Sequence, residues 1–282
     1  MKFYKYQGAG NDFLIADNRN GFIVLTTEQI AALCDRRYGV GADGLMLLDS
    51  PDRKGYDFRM TYYNSDGSGG MMCGNGGRCI VAFAADMGMT DFWFTAADGG
   101  HHARILSDDG RTKTVCLKMN DVKSYEHHDS LSGVSCPSDG YFLDTGTRHY
   151  VRLVEDLDSY DIVGEGRDIR YNASELQPVG ANVNFIEPSA DGVLKVRTYE
   201  KGVEDETFAC GTGIVASCIA AYKAGIRPSR ISGDYVEYDV QAKRDRLAVS
   251  FRPLDLFDRV AEAVYLTGPA TFVAEISVPD YR

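Results

Sequence analysis

Residues 71–88 read MMCGNGGRCIVAFAADMG, and residues 208–225 read FACGTGIVASCIAAYKAG. Each stretch sets a cysteine before Gly-x-Gly, continues as an apolar run of helical character, and closes on a glycine that stops it. Placing Cys73 on Cys210 uses an offset of 137, which also lays 61-TYYN-64 over 198-TYEK-201 without a gap, and Gly74 and Gly76 over Gly211 and Gly213. Upstream, 10-GNDF-13 falls on 146-GTRH-149 at an offset of 136. The chain therefore reads as an internal duplication in which strand, loop, cysteine, Gly-x-Gly and helix are used twice.

Working outward, 2-KFYKYQG-8 reads as a strand entering a glycine loop, and 13-FLIAD-17 as the next strand. A helix is expected over 27-TEQIAALCDRR-37, capped by Thr26 or Thr27, with Ile30, Leu33 and Cys34 on one face. Strands follow at 44–49 and 57–64, several more between 91 and 122, then 140–154, 183–187, 193–200, 234–240 and 247–252, with strand-like segments near 261–266 and 271–278. The halves meet around residues 115–125. This predicts a first domain over 1–118, to which 264–282 return, and a second over 119–263.

The 282 residues suffice for two ordinary domains with real cores. Net charge is −11 and the basic residues are dispersed, so a nucleic-acid partner, which needs a basic face, is not expected. The N-terminal MKFYKYQGAGNDF has no apolar stretch of the kind a signal peptide carries, and nothing reaches the apolar length of a membrane span. Seven cysteines without a targeting segment point to free thiols in a reducing cytoplasm.

A cysteine just ahead of a helix lies beside amides without intrahelical acceptors and at the positive end of the dipole. Both favour thiolate over thiol, so a lowered thiol pKa is expected at Cys73 and Cys210. The adjoining glycines let a carboxylate approach the same amides. One stretch is thus a base with an anion cradle. Two of them flanking a small anionic substrate form a two-base device, in which one thiolate takes a proton from carbon and the other thiol returns one to the opposite face. That is the chemistry of a cofactor-independent racemase or epimerase, and no phosphate, dinucleotide or metal-spaced motif competes with it.

The blocks 2-KFYKYQGAGNDF-13, 37-RYGVGADGLML-47, 63-YNSDGSGGMMCGNGGRC-79 and 199-YEKGVEDETFACGTG-213 resemble those of diaminopimelate epimerase, in family order and across nearly the whole chain. The resemblance implies interconversion of LL- and meso-diaminopimelate without pyridoxal phosphate, any other cofactor or a metal, in the route to lysine and peptidoglycan. It implies a homodimer acting on a small amino acid, with no membrane partner. The implied fold is α+β, with two similar pseudo-symmetric domains, each a curved, mostly antiparallel sheet wrapped around a central helix, and a cleft between them. Cys73 and Cys210 would be the acid–base pair. Asn11, Asn75, Gly76, Gly211 and Thr212 would surround the reacting carboxylate, His149 and Glu200 the reacting amine. Asn64, Asn182 and residue 201 would hold the distal end.

Several positions depart from the family pattern. Lys201 stands where arginine is usual and offers only a point charge to a distal carboxylate. Thr147 replaces a substrate-contacting asparagine, and Arg148 replaces a proline and would be a substitute guanidinium. Tyr6, Gln7 and Gly44 also differ. The altered distal pocket leaves open a racemase of a different amino acid, and a catalytically silent binding protein of the same fold is the alternative outside enzymes. A thiol–disulfide oxidoreductase would need a close pair such as C-x-x-C, which is absent. Cys34, Cys79, Cys116 and Cys218 read as interior packing, Cys136 as an inert loop residue. The His101–His102 and His127–His128 pairs read as solvated loop or edge positions. The run 204-EDE-206 reads as a solvated loop, or else as a device positioning the segment before Cys210.

Overall fold

The computed structural model describes residues 1–70, 72–135, 139–256 and 259–279, without the side chains of residues 255 and 256. The chain divides into two units, Met1–Lys118 with Thr267–Arg282, and Met119–Leu266.

The first unit contains β1 (Lys2–Gly8), β2 (Asn11–Asn18), α1 (Thr27–Cys34), β3 (Gly44–Asp49), β4 (Phe58–Asn64), α2 (Gly74–Asp86), β5 (Trp93–Ala96), β6 (Gly99–Asp108) and β7 (Thr112–Lys118). Each strand pairs with its successor, and residues 268–277 of the returning segment pair with both β7 and β1, so the sheet closes on itself. The β2–β3 and β4–β5 pairs are parallel and are bridged by α1 and α2; the others are antiparallel.

The helices lie on opposite faces of this sheet. On one face, Ile30, Leu33 and Cys34 of α1 join Phe3, Leu14, Ala16, Leu45 and Leu47 in one cluster. On the other, Phe13, Met46 and Met60 approach Gly76 of α2. Alternate residues of β2 and β3 thus serve different cores, and β3 is buried along its whole length. Every residue of α2 from Gly74 to Ala84 is buried, as expected of a helix enclosed by its sheet.

The second unit repeats this plan with β8 (Tyr125–His128), β9 (Gly140–Asp144), β10 (Arg148–Leu153), α3 (Ile162–Asn172), β11 (Asn182–Pro188), β12 (Leu194–Glu200), β13 (Asp205–Thr207), α4 (Gly211–Lys223), β14 (Arg230–Ser232), β15 (Tyr235–Gln241), β16 (Arg246–Leu256) and the first part of β17 (Arg259–Ser277). Here β10–β11 and β12–β15 are the parallel pairs, bridged by α3 and α4. Helix α3 packs on one face with Tyr150, Val183, Phe185 and Tyr199, while His149 and Asn184 point to Gly213 of α4 on the other. Helices α2 and α4 are both 13 residues long. Each stops at a left-handed glycine, Gly88 (φ 85°) and Gly225 (φ 79°), whose conformation lets the next residue bond back to Ala84 and Ala221.

Several details differ from the sequence reading. Helix α1 ends at Cys34 rather than 37, because the Asp35 carboxylate accepts the amides of Arg37 and Tyr38 and turns the chain out of the helix. Its start is as read: Thr26 and Gln29 form a reciprocal capping box. Helix α3 was not foreseen. The two tail segments form one strand; Pro269 lies beyond the β1 ladder, which stops at Gln7–Thr271, and so removes no bond from it. The ungapped offset of 137 fails by one residue upstream of the cysteines: β4 and β12 end at Asn64 and Glu200, 136 apart, and the extra residue sits in the loop before Cys210.

Candidate active site

Cys73 is the residue before α2 and Cys210 the residue before α4, both extended (φ −110°, ψ 127° and φ −102°, ψ 111°). Their carbonyls accept the first helical bonds, from Gly77 (2.7 Å) and Ile214 (2.8 Å), and neither cysteine's own side chain makes a capping bond to its helix. Both thiols therefore sit where amide dipoles favour negative charge. Cys73 is half-buried and Cys210 is 8% exposed.

Around Cys73, the thiol donates to Asn11 Oδ1 at 3.7 Å, and Asn75 Nδ2 lies 3.5 Å from the same oxygen. The Asn11 amide is oriented by Asp43, which accepts its Nδ2 at 2.5 Å, and Asp43 is itself held by Arg36. Burial acts to raise the neighbouring Asp12 pKa, but the hydrogen bonds from Arg36 and Lys5 outweigh it and hold the carboxyl below its usual range. Asn75 is fixed by Arg78, a fully buried guanidinium that donates to Asn75 Oδ1 (2.9 Å), Gly74 O (3.3 Å) and Pro269 O (3.3 Å). Asn64 binds Ser68 Oγ at 3.0 Å, closing the turn ahead of the cysteine.

The surroundings of Cys210 are hydroxyl-rich. Thr212 Oγ1 lies 3.5 Å from Cys210 Sγ, 3.0 Å from His149 Nε2 and 3.1 Å from Thr147 Oγ1; Thr147 Oγ1 is also 2.9 Å from His149 Nε2. Thr145 Oγ1 donates to the Thr212 carbonyl (3.0 Å). His149 is fully buried beneath the two threonines, and burial pushes its pKa down to about 3, so the ring is neutral. Any contact between its Nε2 side and a bound amine passes through those hydroxyls.

Glu200 accepts from Thr207 Oγ1 at 2.8 Å, tying the end of β12 to β13. The run Glu204–Glu206 is no solvated loop. Glu206 takes a two-pronged bond from Arg197 (2.6 and 2.7 Å) and another from Lys243 (2.8 Å), its side chain only 8% exposed. Glu204 accepts from Tyr199 Oη (3.1 Å) and from the Gly202 amide (3.1 Å). The segment leading to Cys210 is thereby anchored. Asn182 spends its amide on backbone, donating to Arg148 O (3.1 Å) and accepting from the Lys201 amide (2.9 Å). The Lys201 side chain is exposed. Arg148, at the start of β10, donates to Leu176 O (3.1 Å) and stacks over Phe142.

Cys79 and Cys218 are fully buried and Cys34 nearly so; burial drives all three thiol pKa values up, Cys34 to about 11. Cys116 is buried too, and Cys136 lies outside the described residues. His101 is 3% exposed, bonded to Asp98 and stacked on Phe94, not solvated. His127 is exposed on the short strand β8, with His128 half-buried beside it. Sequence reasoning missed Asp43, Arg78, Asn184 and Thr198. The offset of 137 would set Asn184 and Thr198 against Leu47 and Thr61, on the α1 face of the first sheet; only the strand register places them as the counterparts of Met46 and Tyr62.

Among solved structures, the chain resembles a phenazine biosynthesis protein of the PhzF family from Bacillus anthracis, with TM-score 0.72, 15% identity and 99% of each chain covered. It also resembles a probable proline racemase from Agrobacterium radiobacter K84, with TM-score 0.67, 16% identity, and 99% and 92% of the two chains covered. These likenesses define the class of fold: a two-domain α+β architecture with a sheet wrapped around a helix in each domain. A family model for diaminopimelate epimerase matches residues 3–123 and 141–241. The diaminopimelate epimerase of Flavobacterium psychrophilum is 41% identical, covering 99% of this chain and 100% of the relative. That of Chlorobaculum tepidum is 40% identical over 94% and 96%. The chain belongs to the diaminopimelate epimerase family. No helix among the described residues is long and apolar enough to cross a membrane.

Proposed function

We propose that this chain interconverts LL- and meso-diaminopimelate by moving the α-proton between two cysteines. The observation that carries the reading is the paired placement of Cys73 and Cys210, each at the start of a buried helix at the same point of a repeated unit. Burial keeps Cys34, Cys79 and Cys218 protonated, and none of the three stands at the start of a helix.

In this reading one thiolate removes the α-proton and becomes a thiol, leaving a carbanion conjugated with the substrate carboxylate. The other thiol donates its proton to the opposite face and becomes the thiolate. The pair leaves each turnover with its charges exchanged and resets through solvent. The first-turn amides of α2 and α4, with Asn11, Asn75, Gly76, Gly211 and Thr212, receive the charge that grows on the carboxylate; loss of one such donor typically costs about 10²–10³ in rate. Glu200, and His149 through Thr147 and Thr212, serve the reacting amine. Asn64, Asn182 and Lys201 serve the distal end, and the reaction needs no cofactor.

With Arg148 turned to Leu176, Lys201 is left to meet a distal carboxylate on its loop. That weakening favours, as a second reading, a racemase of an amino acid lacking that carboxylate. We further propose that the protein works as a cytoplasmic homodimer. The test is chiral chromatography of LL-diaminopimelate incubated with reduced protein, beside a panel of other amino acids. Appearance of the meso isomer, lost on Cys73→Ser or Cys210→Ser, supports the reading; racemisation of another amino acid alone shifts the substrate and keeps the mechanism. No turnover of any of them by folded, reduced protein defeats it.

A further inference from the structure

The two units fill the same place in different ways. Gly76 and Gly213 occupy the same position in the first turns of α2 and α4, and each faces the strands enclosing its helix. Gly76 faces Phe13 and Met46, with Tyr62 edge-on to Phe13. Gly213 faces His149 and Asn184, with Thr198 bonded to Asn184. The registers match: Phe13 pairs with Gly44 as His149 does with Asn182, and Met46 lies opposite Tyr62 as Asn184 does opposite Thr198. Largely apolar side chains therefore satisfy this position in the fold. A buried polar trio there must be explained by its hydrogen bonds, since burying such groups carries a desolvation cost.

Those bonds have one direction. Thr198 Oγ1 donates to Asn184 Oδ1 at 2.9 Å, and Asn184 Nδ2 donates to Tyr150 O at 3.2 Å, which fixes which end of the amide is which. Asn184 Nδ2 also lies 3.1 Å from His149 Nδ1, so that nitrogen must accept. A neutral ring that accepts at Nδ1 carries its proton on Nε2. Nε2–H then donates to the hydroxyls of Thr147 and Thr212, which frees the Thr212 hydroxyl proton to be donated to Cys210 Sγ, 3.5 Å away.

We propose that Asn184 is a positioning residue that locks His149 as the Nε2–H tautomer, so that the Thr147–Thr212 hydroxyls end as a donor to Cys210 and stabilise its thiolate. Its catalytic meaning rests on the two-thiol reading, but the hydrogen-bond chain does not, and the test needs no substrate.

The tautomer is read by ¹⁵N NMR of histidine-labelled protein, and thiol reactivity by the iodoacetamide alkylation rates of Cys210 and Cys73, the latter an internal control in the other unit. The wild type is expected to show an unprotonated Nδ1 on His149. Asn184→Leu is expected to release the tautomer and slow Cys210 alkylation about tenfold, the scale of one hydrogen bond to a charged group, with Cys73 unchanged. Thr212→Val should give the same slowing with the tautomer intact, and the double variant no further loss, since both cut one chain. A wild-type ring protonated at Nδ1, unchanged Cys210 reactivity in Asn184→Leu, or additive losses would each overturn the proposal. If Asn184→Leu fails to fold, the wild-type spectrum and Thr212→Val still decide.

Discussion

The matched glycines Gly76 and Gly213 give the sharpest test of the packing account. At Gly213 a Cβ would stand 2.4 Å from Asn184 Oδ1 and 3.2 Å from the His149 ring. Asn184 is fully buried and its amide serves Thr198, Tyr150 and His149, so it cannot retreat without breaking bonds whose partners are themselves buried. Two such losses at about 1–2 kcal/mol each, less about 1 kcal/mol gained in helix propensity, leave Gly213→Ala about 1–3 kcal/mol less stable. At Gly76 the same methyl meets Met46 Sδ at 3.2 Å and Met60 Cε at 3.4 Å, the ends of flexible side chains that yield by a few tenths of an ångström. Gly76→Ala is therefore expected within about 1 kcal/mol of wild type. Denaturant unfolding of the two variants, extrapolated to water, measures the difference. Equal stabilities would refute the claim that polar crowding under α4 sets it apart from α2.

Other expectations follow from the same geometry. His149 has its folded pKa depressed to about 3 by burial, against about 6.5 when unfolded, so the unfolded chain binds the extra proton and stability falls as pH drops from about 6.5 toward 3. Between pH 8 and pH 5 this contributes a loss of about 2 kcal/mol, which His149→Gln should lack; parallel profiles for the two proteins would contradict it. Glu206→Gln weakens the two-pronged bond to Arg197 and is expected to cost about 1–3 kcal/mol and to lower turnover by loosening the segment before Cys210. Full turnover in this variant would show that the hairpin does not position the thiol. Lys201→Ala should raise KM for diaminopimelate several-fold with kcat less affected, while Arg148→Ala should leave KM near wild type; steady-state kinetics reversing that order would return the distal contact to Arg148.

The duplication was legible because Cys-Gly-x-Gly followed by a small-residue helix is rare enough to be seen twice, and it located both helices and both thiols. What it could have given further was left unused. Shifting Thr27–Cys34 by 136 lands inside Ile162–Asn172, yet α3 escaped notice because its own sequence, IVGEGRDIRYN, carries two glycines and few apolar positions. Asn184 read as one more strand residue in 183-VNFIE-187, and only the strand register shows that it faces inward beside His149. Charge misled in two places. His101 and Glu206 look like surface residues in sequence, but His101 is buried against Lys118 O on the neighbouring strand and Asp98 in the adjoining turn, and the Glu206 side chain against Arg197 and Lys243. Arg148, read from its charge as a substrate contact, is held in this structure by the Leu176 carbonyl and the Phe142 ring.

The central claim is that two thiols, not one base, carry the α-proton. LL-diaminopimelate is incubated with reduced protein in deuterated water, quenched early, and the product and recovered substrate are separated and their α-deuterium measured. A thiol holds a single proton, so return from the abstracting cysteine gives protium back, whereas the opposite cysteine delivers deuterium from solvent. The account predicts deuterium in the meso product and none in the recovered LL substrate at early times, with epimerisation lost in both Cys73→Ser and Cys210→Ser. Equal labelling of both pools from the outset, or epimerisation that survives loss of either cysteine, would contradict it.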